Sequence, residues 1–202
     1  MRATLVQGPV VALDGLAIRR IVRVEVTDGP DPAYADLLIY TPNRPGKHPV
    51  FLNLSFWGNH SVSMEPDIPL STKWYRPTEN GLVINNRPTE KSRGLQVRRY
   101  PLDLILSRGY GLATCYYGDF EPDDPEGWKM GVRGKLQPPG KPFGPSDWAA
   151  ISAWSWGLSC AMDYLETDEH VDPSKVAVIG HSRLGKAALW AGAQDERFAL
   201  VI

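Results

Sequence analysis

Lys175-Val-Ala-Val-Ile-Gly-His-Ser-Arg-Leu-Gly-Lys186 is followed without a break by the Ala-rich apolar run from Ala187 to Ala193. Val176 to Ile179 are β-formers, Gly180 and Ser182 follow, and good helix formers come next, so the chain reads strand, sharp turn, helix. A serine at such a turn is presented to solvent, because the turn holds it in a strained backbone conformation and a small residue two positions earlier leaves room for it. Gly180 supplies that room. The usual spacing is G-x-S-x-G, whereas here Leu184 stands two after the serine and Gly185 three after. The plainer alternative is that Ser182 only caps the helix. The strand before and the helix after favour the elbow.

The flanking chain reads as alternating strands and helices. Residues 9 to 26 form a hairpin turning at Asp14-Gly15, with Val22, Val24 and Val26 alternating against Arg23 and Glu25. Strands are expected near 19–26, 36–41, 49–56, 111–117, 176–180 and 198–202, with a helix from Pro101 to Arg108 that Gly109 ends. A second helix starts at Ser146 as N-cap and carries the stripe Ile151, Trp154, Leu158, Met162 and Leu165. Asp172-Pro173 turns the chain into the strand at Val176. Strand, helix and strand in succession indicate an α/β domain with parallel pairing.

Two stretches have no period. Residues 57–94 carry Pro66, Pro69, Pro77 and Pro88 directly after a core strand, where a loop of that length points to function. Residues 118–145 contain Asp119, Glu121, Asp123, Asp124 and Glu126. Their spacing does not match a calcium loop, and a solvated turn is expected.

At 202 residues the chain has the length of one large domain, residues 1–202, and its apolar content is ample for a core. Acids and bases nearly balance at a net charge of -1, which gives no footprint for nucleic acid or for an anionic membrane. No apolar run is long enough to span a bilayer, and the N-terminus has no signal-peptide pattern, as expected of a trimmed or non-exported chain. Cys115 and Cys160 read as buried thiols, without zinc-site spacing, and neither a metal nor an organic cofactor is expected. Aromatic residues between Phe56 and Trp128 can serve as sugar platforms, although many must pack.

A serine nucleophile needs a base, usually a histidine oriented by a carboxylate. Twenty residues follow Ser182 and none is a histidine; those upstream are His48, His60, His170 and His181. His181 adjoins the serine, but neighbouring side chains at a sharp turn diverge. His60, in Phe56-Trp-Gly-Asn-His60, follows the strand whose end normally supplies part of an oxyanion hole, so a structural or substrate-shaping role is expected of it. The backbone N–H of Arg183 is the natural oxyanion donor, and its fixed charge adds to that role unless it serves only in a surface ion pair. Lys186, one helical turn on, shares the face of Ser182 and can reach a substrate hydroxyl. The six strands match the first six of an eight-stranded α/β-hydrolase sheet, so the sequence is expected to end before its own acid and base.

Gly180-His-Ser-Arg-Leu-Gly-Lys186 resembles the signature of the glucuronoyl esterases, carbohydrate esterase family 15. Leu52 to His60, Gly109 to Asp119, Ala153 to Leu158 and Leu189 to Ala199 are similar to bacterial members as well. The resemblance implies an α/β-hydrolase three-layer sandwich, truncated after about the sixth strand. It implies Ser182 as nucleophile, Arg183 as oxyanion support and Lys186 as a contact to uronic-acid hydroxyls, with His60 beside the substrate. The substrate implied is the ester joining 4-O-methyl-glucuronic acid of xylan to a lignin alcohol, cleaved without a cofactor and outside the cytoplasm or in the periplasm. The 202 residues by themselves are expected to be inactive. Rival readings are another α/β-hydrolase, such as an acetyl-xylan esterase, and a non-catalytic carbohydrate-binding module that keeps Ser182.

Overall fold

The computed structural model describes residues 2–202. Its centre is a seven-stranded sheet in the order β1-β2-β3-β7-β4-β8-β9. The strands are β1 (Arg2–Ala12), β2 (Ala17–Glu25), β3 (Tyr34–Pro42), β4 (His48–Ser55), β7 (Gly111–Tyr116), β8 (Val171–Val178) and β9 (Leu200–Val201); β5 (Val83–Ile84) and β6 (Arg87–Pro88) form a separate ribbon. β1, β2, β3 and β7 pair antiparallel in turn, whereas β7, β4, β8 and β9 pair parallel. The six expected strands are all present. β1 adds a seventh, because the first limb of the hairpin runs back to Arg2 and its residues are mostly exposed along the sheet margin.

Helices α1 (Leu102–Ser107), α3 (Ala150–Leu165) and α4 (Arg183–Gln194) connect the parallel strands, and a short α2 (Val132–Leu136) lies in the loop before α3. The strands have two buried faces. In β3, Leu37 and Ile39 join the core shared with α3 and α4, while Leu38 and Tyr40 join the smaller core under α1, as the period of two requires. Helices therefore cover both sides of the sheet, in three layers. In α3, Trp154, Leu158, Met162 and Leu165 are buried as their spacing predicts, with Ile151 half-buried. Among the described residues no helix is long and apolar enough to cross a membrane.

Three local expectations are corrected. α3 begins at Ala150 with Ala149 at the cap position; Ser146 lies in an exposed turn and caps nothing. β8 begins at Val171, ahead of Asp172-Pro173. Pairing with β4 jumps from His48–Val171 to Val50–Val176, so Asp172 to Lys175 bulge out, held by Asp172 Oδ1 accepting from Ser174 N at 3.2 Å. The solvated turn expected for the acids of residues 118–145 holds only at Asp124 to Gly127, where Gly127 N donates to the Asp124 carbonyl at 2.9 Å and Glu126 is exposed. Glu121 is buried and takes both arms of Arg133 at 2.6 and 2.7 Å, and Asp119 is half-buried. Among the described residues no three metal-ligating side chains gather into a site. Both cysteines are buried free thiols.

Residues 57–94 are anchored in both cores of the sheet, Val62 and Ile68 in the smaller one and Tyr75 and Val83 in the larger. Chain direction then decides where a site can form. From β4 the chain passes to β7 on one side, and from β7 it returns to β8 on the other, so the loops leaving these three parallel strands meet at one edge. A crevice at such a reversal of strand order is where open α/β sheets bind ligands.

Candidate active site

Ser182 sits at the N-terminus of α4 with φ 56° and ψ -125°, a combination nearly confined to glycine. A residue that merely caps a helix is extended and bonds the first turn through its side chain. Ser182 does neither: it makes no side-chain cap bond and is exposed, so the elbow reading holds and the capping alternative does not. The turn is closed by Leu184 N donating to His181 O at 3.0 Å and by Lys186 N donating to Ser182 O at 3.2 Å. Gly180 is required by close approach, since a Cβ there would collide with the Leu184 carbonyl and stand 2.7 Å from Gly185 Cα. The displaced Gly185 thus faces Gly180 across the turn and lets the helix start close to the strand.

Arg183 follows the serine. Its backbone N–H begins α4, where no intrahelical acceptor exists, and among the described residues it has no other hydrogen-bond partner. Its half-exposed guanidinium forms an ion pair with Asp123. Asp123 is fixed in turn by the Tyr117 hydroxyl, which donates to Oδ2 at 3.4 Å, and by Arg76, which donates to its carbonyl at 2.7 Å. Burial, and then the Asp123 charge, raises the Tyr117 pKa above the usual phenol range, so Tyr117 stays a donor.

Two cavities flank Arg183. One, of about 630 Å³, is lined by Ser182, His181, Arg183, Phe56, Trp57, Gln96, Arg98 and Arg99 among others. The other, of about 300 Å³, shares Phe56, Trp57 and Arg183 and is closed by Tyr75, Arg76, Tyr117 and Asp123. Phe56 and Trp57 are half-buried walls common to both. Tyr116 and Tyr75 are stacked at 4.0 Å, and Tyr117 meets Trp154 edge-on at 5.1 Å, so much of the aromatic content packs beneath the cleft.

The wall after β4 is held by neutral hydrogen bonds. Ser55 Oγ donates to Gln96 Oε1 at 3.1 Å, Ser61 Oγ to the Gly58 carbonyl at 2.6 Å, and Gln96 N to the Ser61 carbonyl at 2.8 Å. Gly58 has φ 77°, and a Cβ there would strike the Tyr75 hydroxyl. His60 lies inside this wall, fully buried, with Nε2 2.8 Å from Ser92 Oγ and no partner for Nδ1. Burial, and then the nearby Arg93 charge, pushes its pKa down to about 4. A direct substrate contact for His60 is incompatible with that enclosure; it lines neither cavity and supports the wall from behind.

The structure therefore brings Ser182 and Arg183 together, keeps Lys186 exposed one turn further along α4, and sets His60 apart. Among the described residues no histidine side chain is hydrogen-bonded to Ser182, and His181, its neighbour in the chain, shares the cavity lining with it. His48 is buried with Nε2 3.2 Å from the Arg44 carbonyl, and His170 lies beside Glu169 at 3.8 Å. Sequence reasoning missed Asp123, Tyr117 and Arg76. Asp123 lies 60 residues from Arg183, and no local pattern links them.

A strained serine between a core parallel strand and a helix, at the strand-order reversal of a mixed sheet, defines an α/β-hydrolase. Comparison with known proteins narrows the class. A family model described as "Glucuronyl esterase, fungi" matches residues 143–202. A curated carbohydrate esterase from an unknown prokaryotic organism is 44% identical over 196 residues, covering 95% of this chain and 44% of its own length. A 4-O-methyl-glucuronoyl methylesterase of Phanerochaete carnosa is 54% identical over 56 residues, 27% of this chain and 14% of that protein. Among solved structures, a glucuronoyl esterase from Solibacter usitatus superposes with a TM-score of 0.88 at 46% identity, over 98% of this chain and 50% of that one. A promiscuous CE15 esterase from a marine bacterial metagenome follows at 0.82 and 40%, over 98% and 51%. The chain belongs to the glucuronoyl esterase family, carbohydrate esterase family 15, and it spans about half the length of these more extensive matches.

Proposed function

We propose that the chain is the nucleophile-bearing part of a serine carboxylic-ester hydrolase that cleaves the ester between 4-O-methyl-glucuronic acid of xylan and a lignin alcohol. The observation that carries this reading is the backbone of Ser182, held at φ 56° and ψ -125° with its hydroxyl exposed beside Arg183. Strain of that kind costs about 1–3 kcal/mol and persists only where the surroundings enforce it.

The chemistry is two-step acyl transfer. Ser182 Oγ attacks the C6 carbonyl carbon and gives up its proton to a base; the carbonyl oxygen becomes an oxyanion facing the Arg183 N–H and guanidinium. Collapse breaks the C–O bond to the alcohol, which leaves with a proton, and water then attacks the acyl-serine to release the uronic acid. Asp123 keeps the guanidinium in place through both steps. Lys186 serves as a hydroxyl contact along the helix face. The enclosure of His60 and the positions of the other histidines leave the proton acceptor and its carboxylate partner to polypeptide outside these 202 residues, in keeping with the greater length of the relatives. All 202 residues then form one domain, incomplete at its C-terminal side. On this reading the protein acts where wall polymers are met, outside the cytoplasm or in the periplasm.

The test joins residues 1–202 to the C-terminal half of the S. usitatus relative and compares benzyl glucuronate with an acetyl ester. Preferential hydrolysis of the uronate ester is expected, falling at least about 10³-fold in Ser182→Ala. Preference for the acetyl ester would favour the acetyl-esterase reading, and turnover surviving in Ser182→Ala would remove Ser182 from the mechanism.

A further inference from the structure

The larger cavity beside Ser182 has a charge imbalance that ester cleavage does not explain. Its lining holds three arginines, Arg98, Arg99 and Arg183, and no carboxylate. The charge of Arg183 is answered by Asp123. Arg98 and Arg99 have no ion-pair or side-chain hydrogen-bond partner among the described residues, and both are exposed. Two uncompensated charges in one cleft are conspicuous in a chain whose net charge is only -1.

The two arginines are also firmly mounted. Arg99 N donates to the Gln96 carbonyl at 2.8 Å, Gln96 is buried and bonded to Ser55 and Ser61, and Tyr100 is buried with its hydroxyl accepting from Asn53 Nδ2 at 2.8 Å. The pair thus projects from a turn fixed to the end of β4. Guanidinium groups match carboxylates two bonds at a time, and a cleft lined by one sign of charge concentrates ligands of the other.

An esterified uronic acid is neutral, so it offers these charges nothing. We infer that Arg98 and Arg99 form a subsite for a second, free carboxylate on the substrate, beyond the ester being cleaved. This rests on the uronate-ester reading of Ser182 for the identity of the substrate, but the binding it describes needs no turnover. The carboxylate has two possible sources: a neighbouring unesterified uronic acid on the polysaccharide, or an acid group on the alcohol.

The test measures dissociation constants for the protein carrying Ser182→Ala, by calorimetric or NMR titration. One ligand pair is a xylo-oligosaccharide with two glucuronate branches, with one or both methyl-esterified. The other is benzyl glucuronate against its 4-carboxybenzyl counterpart. In at least one pair the free acid should bind roughly three- to tenfold more tightly at low salt. That gain should shrink as salt rises and vanish in Arg98→Gln/Arg99→Gln. A gain in the first pair assigns the carboxylate to the sugar side, and a gain in the second to the alcohol side. No gain in either pair, or a gain that survives the double substitution, overturns the subsite. Failure of the uronate-ester reading looks different: none of the esterified ligands binds, while the arginine-dependent preference for free acid over neutral oligosaccharide remains.

Discussion

The loops that leave β4 and β7 start side by side, because the strands are parallel neighbours, yet they hold their polar groups by opposite means. After β4 the groups that wall the cleft are neutral: Ser55, Ser61 and Gln96 bond one another, and His60 is enclosed with its pKa at about 4, while the ion pairs of that loop, Glu65 with Arg19 and Glu90 with Arg93, involve other residues. After β7 they are ionic. Glu121 is paired with Arg133 and Asp123 with Arg183, and burial raises the Asp119 carboxyl to about 7, with Asp36 adding to the rise and Lys73 opposing it. The hydrogen bonds of the first wall are therefore between neutral groups, while the wall that positions Arg183 is held by ion pairs and is the more sensitive to salt.

The sharpest way to break this contrast is to remove one charge from the second loop. Glu121→Gln leaves Arg133 with a poorer partner in a buried place and should cost about 3–5 kcal/mol in urea unfolding. Ser61→Ala in the first loop should cost about 1 kcal/mol. Equal losses would erase the distinction.

The pH response sharpens it further. His60 has a folded pKa of about 4, below the ordinary histidine value of 6.5, so as pH falls through 6.5 the unfolded chain takes up the proton first. Stability is lost from there down to about pH 4, by about 3 kcal/mol at most. Asp119 has the reverse sign. Its folded pKa of about 7 lies above the ordinary aspartate value of 3.8, so it stabilises the fold below 3.8 and that contribution is lost as pH rises towards 7. Between pH 4.5 and 6.5 the two slopes oppose. His60→Gln should become more stable on acidification and Asp119→Asn less stable, read from urea midpoints at the two pH values. The same sign in both variants would contradict the assignment.

Much of this architecture is legible in the sequence, and the exceptions share a physical cause. The elbow is local: β-formers, Gly180, Ser182 and helix formers stand within one short segment. β3, β4 and β7 are apolar because both their faces are covered. β1 escaped notice over its first half because a sheet-margin strand with exposed side chains carries no burial pattern. The pairing of the acids in residues 118–145 has no local signature, because Arg133 stands 12 residues from Glu121 with no helical period between them and Arg183 stands 60 from Asp123. Of the two roles open to His60, structural or substrate-shaping, its enclosure fits the structural one, because only the folded loop decides which side of a wall a residue faces.

The central claim, that the fold holds Ser182 under strain in order to present it, can be tested without turnover. Ser182→Gly and Ser182→Ala both remove the hydroxyl, but only glycine is at ease at φ 56° and ψ -125°. Thermal unfolding should find Ser182→Gly more stable than Ser182→Ala by about 1–2 kcal/mol, roughly 2–6 °C in Tm. A Gly variant no more stable than the Ala variant would show that the elbow stores no strain at Ser182.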